Sequence, residues 1–323
     1  MAVVVGEGGQ QGISFKDQVV VVTGAGNGLG RAYALDLARR GAAVVVNDLG
    51  TGPDGVGASA SAADLVVAEI RQAGGLAVAN HESVATPEGG QSIVEAALQH
   101  FGRLDAVVNN AGILRTGPFE AVSAESLDRL VAANLKGAFH VSQPALRIMK
   151  EQGYGRIVMI TSATALFGEP TMAAYAATKG GLFGVMNCLA LAGAPHGVLC
   201  NAVAPLAVSR MAASVAEEDV KAMMGIYEMI GLQPMMPEYV VPLVTYLASR
   251  QCAVNQATYG AVGGCFSRIY VAQTQGWLGP RERPATAEEI MEHLAEIEAR
   301  EGSQETRSVA EDLLRVAQRV GVA

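Results

Sequence analysis

Five β-branched residues in a row, Val19-Val-Val-Val-Thr23, run straight into a glycine-rich loop, Gly24-Ala-Gly-Asn-Gly28-Leu-Gly30. A helix-like pattern follows over 28–40 and stops at Gly41. A short, continuous, β-branched run reads as a strand covered on both faces, without the alternation of a half-exposed strand. A strand that feeds a helix returns to pair beside itself by a right-handed crossover, so this opening commits the chain to βαβ units and a parallel sheet.

The rhythm continues. Strand patterns are predicted at 43–48, 76–80, 105–109, 155–161, 198–203 and 257–262, and helical patterns at 62–73, 88–101, 124–150, 173–192 and 237–249. Together these predict an α/β, doubly wound, Rossmann-type fold with a seven-stranded parallel sheet. The final residues differ in composition: 281–323 hold 6 Arg and 10 acidic residues, whereas only 17% of the whole chain is charged. This shift divides the chain into an N-terminal extension (1–14), a dinucleotide-binding domain (15–265, with a lid over about 205–236) and a helical C-terminal extension (266–323). Helical patterns in the extension fall at about 286–300 and 306–320.

Half of the 323 residues are apolar and the net charge is −8. That balance excludes intrinsic disorder and argues against nucleic-acid binding, which needs a basic face. Residues 180–209 contain no Asp, Glu, Lys or Arg. Length alone would admit a membrane span there, but Pro195, His196, Gly197 and Pro205 split the stretch into a helix-like half and a strand-like half, so no span is expected. The first residues lack the basic segment of a secretory leader, and Cys188, Cys200, Cys252 and Cys265 lack metal-ligand spacing. A cytoplasmic protein is expected. His81, His100, His140, His196 and His293 form no ligand pattern, so no metal is expected, and His140 reads as a packing or capping residue.

Gly24, Gly28 and Gly30 allow a tight turn and a close approach to a pyrophosphate at a helix N-terminus. The spacing is Gly-x-x-x-Gly-x-Gly, not the strict Gly-x-Gly-x-x-Gly. Asp48 ends the second strand, where a carboxylate accepts from ribose hydroxyls and repels a 2′-phosphate, so NAD rather than NADP is expected. Tyr175 and Lys179 lie four apart on a predicted helix and share a face. A tyrosine titrates near pH 10, but a neighbouring ammonium and a cationic nicotinamide would favour its phenolate. Ser162 ends a strand at the carboxyl edge of the sheet, where doubly wound folds bind ligands.

With these residues the sequence resembles the short-chain dehydrogenase/reductase family. The match comprises Thr23-Gly24-x-x-x-Gly28-x-Gly30, Asn109-Asn-Ala-Gly112, Asn134, Ser162 and Tyr175-x-x-x-Lys179, in the family's order, over about 15–265. The resemblance implies that Tyr175 is the catalytic acid/base, with Lys179 holding the nicotinamide ribose and lowering the tyrosine pKa. It implies that Ser162 orients the substrate oxygen and that Asn134 supports a proton-relaying water. The implied cofactor cradle is Gly24, Asn27, Gly28, Leu29 and Gly30, then Asp48 and Leu49, Ser83 and Val84 near the adenine, Asn110, Ala111 and Gly112, Pro205, and again Tyr175 and Lys179. Where the family often has Pro-Gly after the sixth strand, this chain has Pro205-Leu206.

Further segments, among them Val45-Val-Asn-Asp-Leu-Gly50, Tyr154-Gly-Arg-Ile157, Gly276-Trp-Leu-Gly279 and Pro284-Ala-Thr-Ala-Glu-Glu-Ile290, are similar to one branch: the (3R)-hydroxyacyl-CoA dehydrogenase units of peroxisomal type 2 multifunctional enzymes, also known as type 4 17β-hydroxysteroid dehydrogenases. This likeness implies oxidation of a (3R)-3-hydroxyacyl-CoA with NAD, a homodimer, and an extension that helps enclose the active site. Six of the twelve methionines fall between Met211 and Met236, in the lid, which suits a bulky apolar substrate such as an acyl chain or a steroid as well as it suits an ordinary helix core. Arg210, Lys221, Arg250 and Arg268 are candidates to meet CoA phosphates. A hydroxysteroid dehydrogenase, a 3-ketoacyl thioester reductase and a non-catalytic dinucleotide-binding protein stand as alternatives.

Overall fold

The computed structural model describes residues 12–52, 57, 61–207, 229 and 235–321. Two compact units divide at the bond between Arg268 and Ile269.

In the first unit the predicted alternation appears as β1 (Val19–Thr23), α1 (Gly28–Arg39), β2 (Ala43–Asn47), α2 (Ser61–Gln72), β3 (Leu76–Asn80), α3 (Pro87–Phe101) and β4 (Ala106–Asn109). After these come α4 (Ala124–Leu130), α5 (Gly137–Gln152), β5 (Gly155–Ile160), α6 (Thr164–Phe167), α7 (Ala173–Gly193), β6 (Val198–Leu206), α8 (Val241–Ala248), β7 (Thr258–Val262) and β8 (Cys265–Ile269). The sheet order is β3-β2-β1-β4-β5-β6-β7-β8. Every register from β3 to β7 is parallel, with Val20 opposite both Val44 and Ala106.

Alternate residues of one strand feed opposite faces. Val20, Val22, Val44 and Val46 pack into the layer that holds α1, α2 and α8, while Val19, Val21 and Val45 pack with residues of α3, α5 and α7. Each fully buried valine contributes about 2 kcal/mol of apolar transfer. Asp36 of α1 fastens one layer: its carboxylate accepts from Arg39, from Arg40 at 2.8 Å and from Thr245 of α8 at 2.8 Å. These partners hold its carboxyl below the usual range despite burial.

Two features depart from the sequence expectation. First, among the described residues an eighth strand joins the seven parallel ones. Two glycines with positive φ, Gly263 and Gly264, join β7 to β8, and a connection that short turns a strand back antiparallel. β8 is almost wholly exposed at the sheet edge and lacks the continuous apolar run that marks the inner strands. Second, the helix expected over 124–150 is divided by a π-helical turn, Val131–Lys136. As expected, the uncharged stretch resolves into a helix-like half, the end of α7, and a strand-like half, β6, with a 3-10 turn (Ala194–His196) and left-handed Gly197 between them. Among the described residues no helix is long and apolar enough to cross a membrane.

In the second unit the helical pattern at 286–300 breaks at His293 into Ala287–Glu292 and Leu294–Glu298, and a longer helix follows at Val309–Arg319. The imidazole of His293 stacks on Trp277 with ring centroids 4.2 Å apart. Thr286 and Glu289 form a reciprocal capping box, and Arg283 holds the Glu289 carboxyl down to about 2. A two-stranded antiparallel sheet, Ala272–Gln273 against Gln304–Glu305, is the part of this unit that a purely helical expectation missed.

Candidate active site

The strand order reverses direction between β1 and β4, and ligands of doubly wound sheets bind beyond the carboxyl ends of strands at such a switch point. A cavity of about 330 Å³ lies there. Gly24, Asn27, Gly28, Leu29, Gly30, Asp48, Leu49, Ser83, Val84, Asn110, Ala111 and Gly112 all line it, as does Arg129 of α4. Tyr175, Lys179 and Pro205 do not line this cavity.

The loop after β1 is shaped by contacts that only glycine permits. Gly24 and Gly28 have φ of +64° and +52°. A Cβ on Gly30 would stand 2.1 Å from the Gly24 carbonyl oxygen, and one on Gly24 would stand 2.8 Å from Ala111 Cα. Asn27, extended at φ −151°, makes no side-chain cap on α1, so the first-turn N–H groups of that helix face the loop without a side-chain acceptor. Such a helix start favours an anion. Against the same loop, Asp48 Oδ2 accepts from Gly26 N and Oδ1 from Gly50 N, both at 2.7 Å. Each oxygen keeps lone-pair capacity for a further donor. The glycine cradle, the uncapped helix and the anchored carboxylate fit a pyrophosphate-linked dinucleotide.

A hydrogen-bond network holds this cradle in place, and Thr23, Asn47 and Asn80 are the members to which sequence reasoning gave no role. Thr23 Oγ1 accepts from the backbone N–H of both Asn110 and Ala111 at 3.0 Å, and Asn110 Nδ2 donates to the Thr23 and Gly24 carbonyls at 3.0 Å. Asn47 Nδ2 donates to Asn80 Oδ1 (3.0 Å) and to the Glu82 carbonyl (2.9 Å), fixing the β3 end that carries Ser83 and Val84. His140, read from the sequence as a packing or capping residue, holds the Val84 carbonyl through Nδ1 at 3.0 Å. Asn47 and Asn80 are one signal available in the sequence, because polar residues ending two strands in register read as a pair.

The second cluster lies past the end of β5. Ser162 follows the strand, and its side chain hydrogen-bonds to that of Tyr175, which enters from the first turns of α7. Leu114 and Met172 pack beside the tyrosine. Lys179, one turn on, is 3% exposed and donates from Nζ to the Ile160 carbonyl at 2.8 Å. Its Nζ is 5.8 Å from the Tyr175 ring centroid. A Cβ on Gly112 would lie 3.4 Å from the same Nζ, so the lysine reaches the wall of the dinucleotide cavity.

Asn134 lies within the π-helical turn, a feature frequent at functional sites. It accepts from Ile113 N at 2.8 Å and donates to the Ile113 carbonyl (3.0 Å) and to Thr178 Oγ1 (3.1 Å). Both amide hydrogens are thereby engaged, and Oδ1 keeps one lone pair. Pro205 lies near the end of β6, opposite Ala261 of β7. Of the lid, Met235 is fully buried, while Met229 and Met236 are exposed; Arg210, Lys221, Met211, Met223 and Met224 lie outside the described residues.

Burial pushes the Tyr175 phenol up to about 12, and the Ser162 hydrogen bond opposes that rise. Burial also pulls Lys179 down to about 8. The ammonium is turned to the Ile160 carbonyl and meets the tyrosine only at long range, so desolvation outweighs its field.

This arrangement matches a known family. The short chain dehydrogenase model aligns with residues 18–220. The chain belongs to the short-chain dehydrogenase family. It is therefore an oxidoreductase that uses a nicotinamide dinucleotide, NAD or NADP, and acts on a small molecule. It is 44% identical over 282 residues to a short-chain type dehydrogenase/reductase of Mycobacterium tuberculosis, covering 87% of this chain and 94% of that protein. It is 43% identical over 286 residues to the peroxisomal multifunctional enzyme type 2 of Mus musculus, covering 88% of this chain but 37% of the mouse protein. Among solved structures, the full-length peroxisomal multifunctional enzyme type 2 of Drosophila melanogaster superposes with a TM-score of 0.76 at 31% identity, covering 95% of this chain and 51% of that one. The chain thus spans about a third of the mouse multifunctional enzyme and about half of the Drosophila one.

Proposed function

We propose that the chain is an NAD-dependent dehydrogenase that oxidises (3R)-3-hydroxyacyl-CoA thioesters to 3-ketoacyl-CoA. The observation that carries the reaction type is the hydrogen-bonded pair Ser162–Tyr175 beside the buried Lys179, one strand from the dinucleotide cavity. Asp48 supports NAD: its carboxylate is anchored at both oxygens, and a 2′-phosphate beside it would meet like charge. The identity to type 2 multifunctional enzymes over most of this chain supports the acyl-CoA substrate.

Gly24, Asn27, Gly28 and Gly30 would hold the pyrophosphate, Asp48 the adenosine ribose, Ser83 and Val84 the adenine side, and Asn110 to Gly112 with Lys179 the nicotinamide ribose. The chemistry such a dinucleotide supplies when bound is hydride acceptance. The protein's own task is the proton and the alignment. Ser162 Oγ and Tyr175 Oη together receive the substrate oxygen. Tyr175 takes the hydroxyl proton as the carbonyl forms, acting as general base. Lys179 lends positive charge to the phenolate that this requires. Asn134, its amide engaged with Ile113 and Thr178, ties the segment after β4 to α7.

The test is a screen for NADH formation with (3R)- and (3S)-3-hydroxyacyl-CoAs of graded length alongside steroid alcohols. Turnover of the (3R)-thioesters is expected. Turnover of steroids alone would replace this substrate assignment, and equal kcat/KM with NADP⁺ would remove the role given to Asp48.

A further inference from the structure

The stretch of cavity wall made by Ser83, Val84 and Ala85 belongs to no strand or helix, so its place depends on what holds it. His140 of α5 holds it from behind. Its Nδ1 is 3.0 Å from the Val84 carbonyl oxygen. A carbonyl can only accept, so the ring nitrogen in this contact carries the proton. The N–H of the same peptide group, that of Ala85, donates to Ser83 Oγ at 3.2 Å. The peptide plane between Val84 and Ala85 is thereby fixed at both ends.

The valine side chain is fixed by the same helix. Gly137 precedes His140 by three residues and shares its face. A Cβ on Gly137 would stand 2.7 Å from Val84 Cγ2, so α5 backs directly onto the valine. One on Gly90 of α3 would collide with the His140 backbone, so the two helices cross without slack at this point.

We propose that His140 is a positioning residue for the adenosine half of the dinucleotide. By turning the Val84 carbonyl towards α5, it presents the valine side chain to the base and keeps a carbonyl oxygen out of that wall. A half-buried carbonyl that loses its donor must find another or turn to water, and either response moves the wall. The inference deepens the reading of Ser83 and Val84 as the adenine side of the site and rests on it. It does not depend on which alcohol the protein oxidises.

His140 is half-buried and also lines a surface groove with Gln91 and Arg147, so it can be replaced without emptying a core position. His140→Leu removes the donor and keeps the bulk. His140→Asn keeps the donor, because Asn Nδ2 and His Nδ1 stand the same number of bonds from Cβ. NADH affinity is read by fluorescence titration and AMP affinity by competition against NADH. His140→Leu is expected to weaken both ligands together by about three- to tenfold, the worth of one neutral hydrogen bond. His140→Asn is expected to bind both within about twofold of wild type.

A second readout needs no ligand. Which nitrogen of a neutral imidazole carries the proton is set by its hydrogen bonds, and ¹⁵N spectra of labelled histidine tell the two forms apart. His140 is identified among the five histidines by the signals that His140→Asn removes. At pH 9 it is expected as the Nδ1–H form.

An Nε2–H ring at position 140, AMP affinity unchanged in His140→Leu, or a loss in His140→Asn equal to that in His140→Leu overturns the proposal. Wild-type protein that binds neither NADH nor AMP overturns the dinucleotide reading of the cavity itself, and the proposal with it.

Discussion

Lys179 points its ammonium at the backbone carbonyl of Ile160, 2.8 Å away across the gap between α7 and β5, and is 3% exposed. Burial lowers its pKa from 10.5 to about 8, so below pH 8 the fold carries a charge it would rather shed. A shift of that size corresponds to roughly 3 kcal/mol. Below pH 8 the lysine is charged in both folded and unfolded states and the penalty is complete. Between about pH 8 and 10.5 the unfolded chain binds more protons, so stability rises with pH until the penalty is gone. Lys179→Met is therefore expected to melt higher than wild type at pH 7, by about 1–2 kcal/mol after losing the bond to Ile160. Its advantage should shrink as pH rises through that window. Thermal melts at pH 7, 8.5 and 10 decide this; a variant that is less stable at all three contradicts it.

Tyr175→Phe removes one oxygen and leaves the cradle untouched, since the tyrosine does not line the dinucleotide cavity. The expected result is NADH affinity within about threefold of wild type and a kcat lower by about 10²–10⁴-fold, the usual worth of a general base. Fluorescence titration of NADH and steady-state kinetics measure the two halves separately. Loss of binding equal to the loss of turnover would show the residue to be structural.

Asp48→Ala should erode cofactor selectivity. It deletes an acceptor for ribose hydroxyls and the negative charge that disfavours a 2′-phosphate, and a charged hydrogen bond is worth about 1.5–3 kcal/mol. The ratio of kcat/KM for NAD⁺ over NADP⁺ is expected to fall by about 10–100-fold. Because Asp48 also holds the Gly26 and Gly50 backbones, some loss of NAD⁺ affinity should accompany it.

Gly30→Ala places a methyl group 2.1 Å from the Gly24 carbonyl oxygen and 2.5 Å from Asn110 Nδ2. Neither neighbour can retreat without breaking the link between the first loop and β4. Overpacking of this kind costs about 1–3 kcal/mol, here drawn from the very geometry that receives the pyrophosphate. Calorimetric titration with NADH should show affinity reduced at least tenfold, and an unaffected Kd would argue that the loop does not contact the ligand.

Much of this was legible in the chain itself. Unbroken β-branched runs such as Val19–Thr23 admit few readings, and the strand boundaries there agree with the sequence pattern to the residue. The glycine loop and Asp48 were legible because backbone freedom and charge are local properties. What the sequence hid was cooperative. The π-helical turn at Asn134 depends on partners 21 and 44 residues away, Ile113 and Thr178. The opposing effects on the tyrosine depend on burial, which no motif encodes. The edge strand β8 has no apolar pattern because it has little to bury, so hydropathy could not announce it.

The bond network joining Thr23 and Gly24 to Asn110 and Ala111 spans about 86 residues of chain. Closing a loop that long is slow in comparison with forming any one of the helices inside it. The wall shared by Gly24 and Ala111 cannot exist while β1 and β4 are apart, so a nascent or partly folded chain owns the glycine-rich loop without owning a place for its ligand. Capture of a dinucleotide is consequently a late event in the life of the molecule, and a stopped-flow NADH signal during refolding would act as a clock for completion of the sheet's centre, lagging behind the appearance of helix in the far-ultraviolet.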